Sequence, residues 1–284
     1  MALRDIMLHL DATERCAERL RLAVSLAARD GAHLAGVFVV DVPPPGMTYG
    51  YEMAYALGSS DKLFDELRTQ AIAAAEPVRL NFEDQIRRAG VSGEWRMVEG
   101  LAPEMLSLHA RYADMSIIGQ QDVNAPYGTT AQDVTVTALL TSGRPVLSVP
   151  YAGNFPDLGG HALIAWNASR EAARAVNDAM PLLAACKKVT ALAINPERGI
   201  HGHGDTPAAD ICAHLARHGI NAEAAHTVAK DIPEGEALLS YAADISADFV
   251  VMGAYGHSRV REWAFGGVTR TLLREMTVPV LMSA

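Results

Sequence analysis

Three cysteines in 284 residues, an odd number with no CxxC pair, leave no material for a disulfide framework or a thiolate zinc site. Cys16, Cys186 and Cys212 therefore read as buried thiols. The chain also lacks any cluster of Lys and Arg, and its formal net charge is −9, which argues against both a nucleic-acid partner and a membrane surface. No apolar run is long enough to span a bilayer, and the first five residues lead directly into a short apolar stretch, so neither a signal peptide nor an anchor is expected and the expected location is cytoplasmic. Two nucleotide motifs are absent as well: the phosphate loop GxxxxGK[ST], and GxGxxG after a first strand. Neither a P-loop ATPase nor a dehydrogenase is expected. What remains is half hydrophobic and one fifth charged, the profile of a globular protein, with a length that favours two modest domains.

The chain repeats itself. A short apolar strand ending in a polar residue opens each half, Ile6 to Asp11 and Leu163 to Asn167, with Asp11 and Asn167 offset by 156. A fully apolar strand running into glycine lies later in each half, Asp114 to Gly119 and Asp248 to Gly253, offset by 134. From there the register holds without gaps, Val134-Thr135 on Val268-Thr269 and Pro145-Val146-Leu147 on Pro279-Val280-Leu281. The second copy is thus about 22 residues shorter, all lost between its second and fourth strands. Domains are expected at 1–152 and 158–284, joined by the glycine-rich stretch around 151–160.

Within each copy strands alternate with helices. Second strands are expected at Leu34 to Val40 and Val189 to Ile194, third strands around Trp95 to Val98 and Ala222 to Val228. Ser169 is the expected cap of a helix whose stripe is Ala172, Val176, Ala179 and Leu183. This order predicts an α/β fold of two tandem five-stranded parallel sheets, each covered by helices on both faces. Such sheets bind ligands at the carboxyl ends of their strands, where the strand order reverses.

In the second copy Gly253 and Gly256 follow the fourth strand, nine residues intervene, and Gly266-Gly267-Val268-Thr269 open the last helix. Glycine lets the backbone approach an anion closely, and the free N–H groups of the helix start point at the same space, so phosphate is the natural occupant. The alternative is that these glycines serve only as turn and cap. The first copy carries Asp122, Gln132 and Asp133 in place of Gly256, Gly266 and Gly267. Carboxylates at both ends of that loop repel a polyphosphate, so no ATP is expected there although Asp11 is kept.

Gly253-x-x-Gly256, nine residues, Gly266, and the Val-Pro-Val-Leu strand together resemble the universal stress protein family, and the duplication resembles its tandem members. The resemblance covers nearly the whole chain. It implies the adenine nucleotide α-hydrolase-like fold and ATP, with or without Mg2+, as the ligand. By that resemblance Ala165 and Asn167 contact the adenosine, Ile194 meets the base through its backbone, and Met252, Gly253, Gly256, Gly266, Gly267, Val268 and Thr269 fall on ribose and phosphate positions. The family usually has Asp at the position of Asn167 and Ser or Thr at that of Gly267; the lost hydroxyl removes one hydrogen bond, about 1 kcal/mol. The resemblance further implies that the final strands join the two copies as an internal pseudo-dimer, with a homodimer of chains as a further option.

His257, Arg259 and Arg261 lie between the glycine pairs, within reach of a phosphate or simply solvated. No general base paired with a nucleophile is evident, so fast hydrolysis is not expected. His201, His203 and Asp205, with Asp210, His214 and His218 downstream, are the best metal candidates. The stripe Ala208, Ile211, Cys212 and Leu215 turns the last two histidines to solvent, and Thr206 before Pro207 reads as an ordinary helix start, so no metal is expected. The tyrosine- and methionine-rich loop from Pro43 to Tyr55 reads equally as a pocket or as packing. Three functions stay open: an ATP-binding stress-response regulator, a slow ATP hydrolase or phosphate-transfer enzyme, and a metal- or protein-binding module.

Overall fold

The structure is a computed structural model, and it describes residues 2–41, 61–120, 131–196, 206–255 and 267–284. The first half runs β1 (Asp5–Leu10), α1 (Cys16–Asp30), β2 (His33–Val40), α2 (Asp61–Ala89), β3 (Gly93–Glu99), α3 (Ala102–Ala110), β4 (Met115–Gly119), α4 (Ala131–Thr141) and β5 (Val146–Val149). The second half repeats the order with β6 (His161–Ala165), α5 (Arg170–Ala184), β7 (Lys188–Ile194), α6 (Ala209–Arg217), β8 (Ala222–Thr227), α7 (Glu234–Asp244), β9 (Phe249–Gly253), α8 (Gly267–Glu275) and β10 (Val280–Ser283). Much of the length difference sits in one element: α2 has 29 residues where α6 has nine.

All ten strands form one sheet in the order β3-β2-β1-β4-β5-β10-β9-β6-β7-β8. Pairing is parallel within each half. The one antiparallel junction is β5 with β10, centred on Leu147 opposite Leu281. Central strands such as β4 and β5 are buried along their whole length, whereas the edge strands β3 and β8 alternate towards solvent. That contrast follows from helices covering both faces of a parallel sheet. Two apolar layers result, one on each face, and each draws residues from both halves.

The same local device starts both halves. Asp114 Oδ2 accepts from the backbone N–H groups of Arg4 (2.7 Å) and Asp5 (3.1 Å), and Asp248 Oδ2 accepts from those of Gly160 (2.5 Å) and His161 (3.0 Å). The aspartate ahead of each apolar fourth strand thus ties that strand's start to the start of the first. Ser169 caps α5 as expected, its Oγ accepting from Ala172 N at 3.1 Å.

Two local expectations change. Helix α6 begins at Ala209 and not at Thr206, because Ala208 takes a left-handed conformation (φ 64°) and holds residues 206–208 in a turn. The connection between the halves is pinned down along its length: Leu158 is fully buried, Arg29 Nη1 donates to its carbonyl (3.0 Å), and Arg15 Nη2 donates to the Gly153 carbonyl (2.6 Å). Among the described residues no helix is long and apolar enough to cross a membrane.

Candidate functional site

In the second half the strand order reverses between β6 and β9, with β7 and β8 on one side and β10 on the other. A crevice opens outside the carboxyl ends of the strands at such a point. Ala165 ends β6 and lies in register between Leu192 and Met252. Ile194 ends β7, and Met252 and Gly253 end β9. Ala165, Ile194 and Val268 pack, half-buried, against one apolar layer that includes Met252, Ala254 and Leu272. The structure therefore brings these residues to one face of the sheet. Thr269 is buried in the first turn of α8. Gly256, His257 and Gly266 lie outside the described residues, as do Arg259, Arg261, His201, His203, Asp205, Asp122 and the loop from Pro43 to Tyr55.

The two described glycines have different surroundings. A Cβ added to Gly253 would run into the backbone of Glu171 and Ala172, so this glycine lets the first turn of α5 press against the end of β9. Gly267 is exposed, opens α8, and has nothing among the described residues within 4 Å of an added Cβ. Asn167 is also exposed; its Oδ1 accepts from Ser169 N at 3.2 Å and fixes the turn into α5.

Backbone strain gathers at the same end of the sheet. Five non-glycine residues have positive φ among the described residues, and three of them follow β6, β7 and β9: Ala168 (56°), Asn195 (49°) and Tyr255 (62°). None lies in the first half. Such conformations cost about 1–3 kcal/mol each and persist where the surroundings enforce them, which is characteristic of ligand sites. Asn195 is enforced on both sides: its Oδ1 accepts from Ala229 N (2.9 Å) and its Nδ2 donates to Glu234 Oε1 (3.0 Å). Burial pushes the Tyr255 phenol up to about 12, so it stays protonated at neutral pH. Asn195 was legible only as an Asn-Pro pair at a strand end, and Ala168 and Tyr255 left no sequence signal.

The matching point of the first half, between β1 and β4, is filled from within. Arg19, 4% exposed at its side chain, donates from Nε to the His9 carbonyl (2.8 Å) and from Nη2 to Asp11 Oδ2 (2.5 Å). Its Nη1 stands over Gly119, where a side chain would otherwise fit. Asp11 Oδ1 is taken by the N–H and hydroxyl of Thr13. Burial pushes the Asp11 carboxyl up, but the charges of Arg19 and His9 with the Thr13 hydrogen bonds outweigh it and hold the group down at about 2. Burial lowers His9 to about 4, so it is neutral, and its Nδ1 has no hydrogen-bond partner among the described residues. At the offset of 156, Ala165 and Ala175 replace His9 and Arg19 in the second half, and both bulky groups are gone.

Residues 160–283 match the model of the universal stress protein family. That stretch, the second half of the chain, is similar in sequence to universal stress proteins. The whole chain shares its fold with a universal stress protein from Archaeoglobus fulgidus DSM 4304, at a TM-score of 0.73 and 17% identity over 98% of this chain and 95% of that one. A putative universal stress protein from Pseudomonas aeruginosa UCBPP-PA14 is similar at a TM-score of 0.58 and 14% identity, over 99% and 93%. Universal stress protein Slr1230 of Synechocystis is 44% identical over 46 residues, a stretch covering 16% of each protein. The chain is thus two universal-stress-protein folds in tandem, as its repeat implies.

Proposed function

We propose that this chain is a cytoplasmic stress-response regulator, with domains at 1–152 and 158–284, that binds one ATP, with or without Mg2+, in its second domain. The observation that carries this reading is the contrast between the two switch points. In the first, Arg19 donates to the His9 carbonyl and to Asp11, and the three residues occupy the crevice. In the second, Ala165 and Ala175 leave the equivalent space without those side chains, and the strained residues Ala168, Asn195 and Tyr255 border it. A helix start opened by an unencumbered glycine, Gly267, supplies N–H groups suited to a phosphate. The asymmetry has a second support in sequence: Asp122 and Asp133 put negative charge where the second domain has glycine.

Mass analysis of small molecules released on denaturing the purified chain, with titration of the chain by MgATP, tests the reading. An adenine nucleotide in the released fraction, or saturable ATP binding, is the expected result. Absence of both a released adenine nucleotide and ATP binding would overturn it.

A further inference from the structure

Helix α6 buries Ile211 and Leu215 and leaves His214 and its C-cap residue His218 exposed, as the sequence stripe requires. Exposure removes the case for a closed metal site, which needs four protein ligands. It does not remove the case for an open one. The structure adds what spacing alone does not show: the two imidazole rings, one helical turn apart, have centroids 4.8 Å apart and planes inclined at 59°. With metal–nitrogen bonds of about 2.0–2.1 Å, an imidazole centre lies about 3.2 Å from its ion, so two rings on one ion at square-planar or tetrahedral angles have centres about 4.5–5.2 Å apart. The observed separation falls inside that range. The pair already stands at chelating distance, so binding has little side-chain ordering left to do. Charge around it suits a cation: the carbonyl end of α6 carries partial negative charge and Asp210, one turn before His214, a full one, against the positive charge of Arg217.

We propose that His214 and His218 chelate one borderline divalent metal ion, Zn2+ or a neighbour of it in the first transition row, at the end of α6. Imidazole nitrogen is the ligand such ions favour. Among the described residues no three metal-ligating side chains converge, so water completes the coordination shell and the ion stays exchangeable. The rings meet only while residues 214–218 are helical, so the ion binds the folded chain in preference to the unfolded one and stabilises it.

Calorimetric titration of the full chain, first stripped of metal by a chelator, with Zn2+ tests the assignment. Saturable binding of one Zn2+ per chain is expected, weakened at least tenfold in His214→Ala and in His218→Ala. Both side chains are exposed, so without metal neither substitution moves the thermal midpoint. Added Zn2+ raises the midpoint of the unaltered chain and not that of either variant. The double variant His201→Ala/His203→Ala binds Zn2+ as the unaltered chain does, which separates this pair from the other histidines the sequence offers. No saturable Zn2+ binding to the unaltered chain, or binding that His218→Ala leaves intact, overturns the proposal, and so does binding that is lost in the His201→Ala/His203→Ala variant.

Discussion

At the scale of single residues, the first half is governed by a buried charge that has found its partner. Arg19 is enclosed, and Asp11 is the carboxylate that neutralises it. Removing one member of such a pair leaves the other uncompensated, so Arg19→Ala is expected to lower stability by about 2–4 kcal/mol in denaturant unfolding, less than a fully enclosed pair because Asp11 keeps some solvent contact. His9 adds a pH dependence with a definite sign. Its folded value lies at about 4 against 6.5 when unfolded, so between those values the unfolded chain binds a proton that the folded chain does not. Stability therefore falls as the pH drops through this window, by up to about 3 kcal/mol, and Asp11 adds a further loss from 3.8 down towards 2. Thermal midpoints measured between pH 7 and pH 4 are expected to fall more steeply for the unaltered chain than for His9→Gln; equal slopes would remove His9 as the cause. In the second half the informative residue is Gly267. Nothing crowds an added Cβ there, so Gly267→Ser is expected to raise ATP affinity by a few-fold to about tenfold through one regained hydrogen bond, with the thermal midpoint unchanged.

At the scale of elements, the glycine that ends β9 is a packing device. In Gly253→Ala the new methyl meets the backbone of α5, which cannot swing aside as a side-chain tip can. The expected loss is about 1–3 kcal/mol, accompanied by displacement of the α5 start and of the Asn167 turn attached to it. Gly119→Ala meets the Arg19 guanidinium, which Asp11 and the His9 carbonyl hold in place, so a comparable loss is expected from the same unfolding measurement. The alternation of strands and helices, the Ser169 cap and the register of the copies were legible in sequence, because apolar runs, a capping residue and paired aspartates are all local signals. The crevice of the first half was not. In sequence the case against a ligand there rested on the loop aspartates Asp122 and Asp133, and only the fold shows Arg19, eight residues on from Asp11, turning back onto it. Strain at Ala168 and Tyr255 was equally hidden, since it is imposed by neighbours distant in sequence and not by residue type.

At the scale of the molecule, the two halves share one sheet and both apolar layers. Polar links reinforce the joint: Gln120, just past β4, donates from Nε2 to the Leu273 carbonyl in α8 (3.0 Å), and Arg174 of α5 donates to the Gly143 carbonyl (2.9 Å). A single cooperative thermal transition is expected by calorimetry, and two resolved transitions would show that the halves unfold independently. Through Gln120 the end of the first half's fourth strand holds α8, the helix whose start is the proposed phosphate site. On the proposed reading the first half is a support for the second, its own crevice occupied by Arg19. Calorimetric titration of the unaltered chain with MgATP tests that division of labour most directly. One ATP per chain, abolished by Gly267→Glu and retained in Arg19→Lys, is the expected result; two ATP per chain, or one that survives Gly267→Glu, would contradict it.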